Sequence, residues 1–166
     1  VVRQINAYVL NPIRTTSALA PLRLKCMAAA ASISHMQLSV EHVAWQVDDP
    51  VAVAQWYVRH LGFRVVRRND NDPARTHFLA DAGGRCVVEI YRNPAASVPN
   101  YRAMHHLHLH LALAVTDPRA TRDALLAAGC TVDDDLRTTP AGDQLCMLRD
   151  PFGFAVQLCR RARPLI

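Results

Sequence analysis

The sequence predicts an α+β domain: two tandem β-α-β-β-β modules forming a cupped, half-barrel mixed sheet around a central cleft. Three observations carry that expectation. First, the chain repeats itself: VEHVAWQVDDPVAVAQWYVRHLGF (40–63) is echoed by HLHLALAVTDPRATRDALLAAGC (108–130), with Asp49-Pro50 and Asp117-Pro118 offset by 68 positions. A fixed internal offset of this kind marks repeated architecture. Second, each copy opens on a run of strict side-chain alternation, the two-residue period of a strand. Third, each copy then shows helix start and stop signals, followed by three short apolar runs separated by turn residues.

In the opening strands, His42, Ala44 and Gln46 alternate with Val43, Trp45 and Val47, and His108, His110 and Ala112 alternate with Leu109, Leu111 and Leu113. The wholly apolar side should lie under a helix, leaving the histidines on the opposite, uncovered face. Asp49 and Asp117 are suited to cap the helices, with Pro50 and Pro118 at the first helical position, where a missing N–H costs nothing. The expected apolar stripes are Val53, Trp56, Tyr57 and His60 or Leu61 in copy one, and Thr121, Ala124, Leu125 and Ala128 in copy two. Gly62 and Gly129 then supply the positive φ that ends a helix. Strands follow near 63–68, 76–80 and 85–91, and near 130–134, 143–148 and 154–160, with NDNDPA, DAGG, TTPAGD and DPFG as turns. The expected organisation is a basic N-terminal extension at 1–35, then one domain at 36–166. That domain comprises module one (39–91), a linker (92–105) and module two (106–160).

Composition narrows the function classes. Of the formal charge of +5, residues 1–40 supply +4 through Arg3, Arg14, Arg23 and Lys25 with no acid, leaving +1 for the rest. The body therefore lacks the broad basic footprint that a nucleic-acid backbone demands. No apolar run is long enough to span a bilayer. The five cysteines, Cys26, Cys86, Cys130, Cys146 and Cys159, form no CxxC pair and read as reduced thiols. The expected location is the cytoplasm. The alternative is an organelle matrix, should the Ala/Ser-rich, acid-free residues 1–35 be a transit peptide rather than a leader or disordered tail.

The candidate site comes from register. In CVVEIY, Val87, Glu89 and Tyr91 alternate with Val88 and Ile90, and in FAVQLC, Ala155, Gln157 and Cys159 alternate with Val156 and Leu158. His42 to Glu89 is 47 residues, and His110 to Gln157 is also 47. Four polar residues thus occupy matched positions on the uncovered face: His42, Glu89, His110 and Gln157. Two imidazoles and a carboxylate suit one divalent cation, Zn²⁺, Ni²⁺, Mn²⁺, Co²⁺ or Fe²⁺, with positions left for water or substrate. A core role for the histidines and a metal-free amide role for Gln157 stand beside that reading. His108 is a candidate hydrogen-bond donor to a ligand residue or to the substrate, and His77 and Tyr91 are pocket candidates. Trp45 and Phe78 are expected in the core, while Arg149 and Asp150 should fix the last turn.

The paired modules, the HVAWQVDDPVAVAQWYVRHLGF opening and the RDPFGFAVQL close resemble the vicinal oxygen chelate superfamily of glyoxalases, bleomycin-resistance proteins and extradiol dioxygenases. The resemblance covers roughly residues 39–160. It implies metal ligands at His42, Glu89, His110 and Gln157, with Glu89 as catalytic base. The implied activity is that of a metal-dependent lyase, isomerase or epimerase on a small substrate with vicinal oxygens. An extradiol-type dioxygenase and a metal-free binding protein of the bleomycin-resistance type are the alternatives. Two departures from the family close are Phe152 and Phe154 in place of Asp and Asn, and Gln157 in place of Glu. A homodimer or a closed two-module monomer is expected.

Overall fold

In the computed structural model, the described residues are 38–69, 71 and 73–165. The expectations placed on residues 1–35 and on Cys26 lie outside them. Module one runs β1 (Val43–Gln46), α1 (Pro50–Leu61), β2 (Arg64–Arg68), β3 (His77–Ala80) and β4 (Val87–Tyr91). Module two runs β5 (Leu111–Ala114), α2 (Pro118–Ala127), β6 (Thr131–Thr138), β7 (Gln144–Arg149) and β8 (Ala155–Arg160). Each module forms one mixed four-stranded sheet, in the orders β1-β4-β3-β2 and β5-β8-β7-β6. The two tandem modules are arranged around a cleft, open rather than closed into a barrel.

The repeat holds at the level of single hydrogen bonds. Ala44 pairs with Glu89 and Ala112 with Gln157, in parallel ladders offset by the same 68 positions. Val47 N–H donates to Tyr91 O and Val115 N–H to Cys159 O, both at 2.9 Å. Even the irregularity recurs, between Val65 and Arg67 in β2 and between Val132 and Asp134 in β6. Both helices start as their sequences dictate. The Asp49 carboxylate accepts from the Val51 and Ala52 N–H groups at 3.1 and 3.2 Å, and Asp117 from Ala120 N–H at 3.0 Å. Gly62 (φ 72°) and Gly129 (φ 97°) end them in the left-handed region.

Packing follows the apolar stripes. Val53, Ala54 and Tyr57 of α1 are buried over Leu79, Val88 and Ile90, while Leu125 of α2 covers Cys146, Leu148 and Leu158. Each fully buried side chain of this size is worth about 1.5–3 kcal/mol relative to exposure. The modules meet through their helix-side faces. Trp56 and Leu61 of α1 pack against the second cluster as well as the first, and Leu111 and Leu113 of β5 pack against the first. Trp56 Nε1–H donates to Ala128 O at 3.0 Å, and Tyr57 O–H to buried Asp150 at 3.0 Å. Trp45 stacks on Phe154 with centroids 4.6 Å apart. Arg149 ties the linker down, its guanidinium donating to Tyr101 O at 2.7 Å and Met104 O at 2.6 Å.

One expected element is corrected. The second opening strand begins at Leu111, not at His108, because residues 106–108 form a turn closed by His108 N–H donating to His105 O at 2.9 Å. The His-Leu alternation of 106–110 mimics a strand that the backbone does not make.

Candidate functional site

Strand pairing lays a polar row across the face of module one opposite α1. Ala44, Glu89, Phe78 and Arg67 are successive neighbours from β1 through β4 and β3 to β2. His42 lies immediately before β1, on the pleat shared with Ala44. Its Nε2 stands 3.2 Å from Glu89 Oε2, while its Nδ1 meets the Glu41 carboxylate. The ring sits edge-on to Phe78, with centroids 5.5 Å apart at 82°, and the Arg67 guanidinium lies 5.9 Å from the same phenyl ring. The Glu41 carboxylate, and behind it Glu89, raises the His42 pKa above its ordinary value against a smaller opposing effect of burial. A small cavity of about 190 Å³ opens here, walled by Arg67, Thr76, Phe78 and Glu89 among others.

Module two carries the corresponding row, Ala112, Gln157, Met147 and Asp134. His110 precedes β5 as His42 precedes β1. Its Nδ1 contacts His106 O at 2.9 Å. The Gln157 amide oxygen accepts from Cys159 Sγ–H at 3.1 Å. The structure therefore brings His42 to Glu89 and sets His110 and Gln157 on the other sheet. Among the described residues, no group of three or more His, Cys, Asp or Glu is arranged to hold a metal ion. A two-ligand pair does not by itself make a resident metal centre, which needs three or four protein ligands. Among the described residues of a single chain, His42 and Glu89 stand as such a pair, with His110 and Gln157 on the other sheet.

The remaining candidates fall elsewhere. His108 sits in the 106–108 turn, its ring 6.0 Å from His105. His106 pairs with Asp133 at 2.9 Å. Burial alone would raise the Asp133 pKa, but His106 and Arg149 together hold it below the usual carboxylate range. Tyr91 shares the Glu89 face, opposite Gln46. His77 pairs with Ile90 on the helix side, 8% exposed, and its Nδ1 contacts Arg75 O at 2.7 Å. It lines a groove with Val51, Gln55 and Val58 of α1 instead. Phe78, expected in the core, faces the Glu89 row. Counting back from the β3–β4 hairpin would have shown this, because Ala80–Val87 pairing forces Phe78 opposite Glu89. Burial, and behind it the Asp150 carboxylate, pushes the Cys130 thiol up to about 12, which favours its protonated form at neutral pH.

Comparison with known proteins agrees with this architecture. The profile of the Glyoxalase/Bleomycin resistance protein/Dioxygenase superfamily matches residues 39–158. Among solved structures, SMU.1112c is 29% identical, covering 75% of this chain and 100% of its own, with a TM-score of 0.57. TioX from Micromonospora sp. ML1 is 25% identical over 77% of this chain and 100% of its own, with a TM-score of 0.53. TnmS3, an antibiotic binding protein from Streptomyces sp. CB03234, is 22% identical over 76% of this chain and 100% of its own, with a TM-score of 0.58. No curated protein matches the chain. Among the described residues, no helix is long and apolar enough to cross a membrane.

Proposed function

The chain belongs to the Glyoxalase/Bleomycin resistance protein/Dioxygenase superfamily, and from that membership we propose that it binds a small organic molecule without a metal. The molecule is held against the polar sheet face of His42, Phe78 and Glu89. One observation carries the reading: the two register-matched pairs, His42/Glu89 and His110/Gln157, stand on separate sheets, and no metal-capable triad forms among the described residues. A phenyl ring flanked by an imidazole, a carboxylate and a guanidinium offers stacking plus both hydrogen-bond polarities, the ordinary equipment of a recognition surface. The same fold in TnmS3 serves antibiotic binding. The test is calorimetric titration of tag-free protein with metal-free bleomycin, a catechol and a hemithioacetal, with and without EDTA. Binding of one class, unaffected by EDTA and weakened by Glu89→Ala, is the expected result. One equivalent of tightly held metal with turnover would overturn it.

A second reading retains a divalent metal and a lyase, isomerase or epimerase activity with Glu89 as base. It is favoured by the identical ladder positions of Glu89 and Gln157. It requires His110 and Gln157 to meet His42 and Glu89, which a homodimer joining the two polar faces would bring about. Metal content of wild type, His110→Ala and His108→Ala separates the readings: loss in the first variant alone supports a metal site.

A further inference from the structure

On the opposite side of β1 from His42 lies a crevice of about 410 Å³, within the size range of small-molecule sites. The end of β1, the first turn of α1, linker residues 98–102 and the turn at 150–154 wall it. It is therefore built from three segments distant in sequence and held together by Arg149 and by Tyr101 O–H donating to Gln46 O at 2.8 Å. Its floor is aromatic: Trp45 stacks on Phe154, and Tyr101 meets Phe154 edge-on with centroids 5.0 Å apart. Trp45 is 7% exposed, and its indole N–H is buried without a hydrogen-bond acceptor among the described residues.

The rim has a sign. Asp48, Asp49 and Asp150 line the crevice; Arg102 there is turned to the Pro151 carbonyl, while Arg92 and Arg75 approach Asp48 and Asp49 without lining it. Asp150 is committed to Tyr57 O–H and to the Phe152 and Phe154 N–H groups. Asp49 caps α1 and stands 4.0 Å from Arg75. Asp48 pairs with Arg92 at 3.1 Å but remains 83% exposed at the mouth. Aromatic walls below carboxylates favour an organic cation.

We propose that the crevice between β1, α1, the linker and the 150–154 turn binds a small aromatic cation. Its ring lies against Trp45 and Phe154, and an ammonium group faces Asp48 and Asp49. This site goes beyond the recognition face proposed above. Trp45 alternates with Ala44 and Gln46 on β1, so the two surfaces lie on opposite sides of one sheet, and either can fail alone.

The chain has two tryptophans, which makes the test direct. In an amide-detected NMR titration of the full chain, Trp56 Nε1–H, already donating to Ala128 O, is the internal reference. The probes are para-(aminomethyl)benzamide, its para-(hydroxymethyl) analogue and para-carboxybenzamide. The Trp45 indole signal should move with the ammonium probe while Trp56 stays, with affinity at least about tenfold above that for the carboxylate probe. Asp48→Asn, at an exposed position, should cut the ammonium preference severalfold, and Val98→Trp should fill the crevice and abolish the shift. An unmoved Trp45 signal, or equal response to all three probes in wild type and Asp48→Asn, would overturn the proposal. So would a folded Val98→Trp variant that still shifts.

Discussion

His42 is held between Glu41 and Glu89, and both carboxylates favour its protonated form. A histidine whose folded pKa is raised contributes stability fully present below its unfolded value near 6.5 and lost as pH rises through the folded value. NMR titration of His42 should therefore show an elevated midpoint. Glu41→Gln should lower it more than Glu89→Gln does, because the Glu41 contact is the larger cause. The opposite ranking would mean that Glu89, not Glu41, sets the charge of this face. The residue scale also separates two equivalent aspartates. Asp81 and Asp150 each follow a strand and hold the next turn through backbone N–H groups, Arg85 and Cys86 for one, Phe152 and Phe154 for the other. Those backbone bonds pull the Asp81 pKa down, whereas burial pushes that of Asp150 up. Asp150→Ala should cost about 2–4 kcal/mol by stranding two N–H groups and the Tyr57 hydroxyl, and Tyr57→Phe about 1 kcal/mol. Urea denaturation measures both, and equal small losses would show that the turn does not depend on the carboxylate.

At the scale of elements, much of the architecture was legible. Helix starts and stops were fixed by single residues with one job, Asp-Pro before and Gly after. Gly62 and Gly153 test this separately. A Cβ at Gly62 meets nothing within 4 Å, so Gly62→Ala carries only the cost of φ 72°, about 1 kcal/mol. A Cβ at Gly153 would collide with the Arg102 side chain and approach its backbone N at 3.2 Å, so Gly153→Ala should be clearly worse. Thermal melts showing Gly62→Ala as the more damaging variant would contradict the geometry. The illegible parts have a common physical origin. In β3, Phe78 and His77 are both compatible with either face, so pairing with β4 decides, not hydropathy. At 105–110, alternating His and Leu carry a strand pattern, yet the backbone turns at 106–108 while His106 is drawn to Asp133. The His42/Glu89 pair was readable because both strands keep register. The Trp45 crevice was not, since its walls come together only through the linker.

For the whole molecule, the first strands of both modules, β1 and β5, are sheet edges, and unpaired edges invite further pairing. Apolar side chains cluster beside them: Val43 is 49% exposed, Leu107 70% and Leu109 40%. A two-fold arrangement setting β1 of one copy beside β5 of another would close both edges at once. It would also place His42 and Glu89 of one copy near His110 and Gln157 of the other, the convergence that the single chain lacks. Sedimentation equilibrium at several concentrations should find a dimer, and deletion of residues 1–36 should leave it and cooperative unfolding intact. Val43→Lys puts a charge on the edge without touching the core, so it should dissociate the dimer and weaken ligand binding on the Glu89 face together. A monomer at every concentration, or an assembly larger than a dimer, would remove the two-chain site. Dissociation with undiminished binding would place recognition on one module alone.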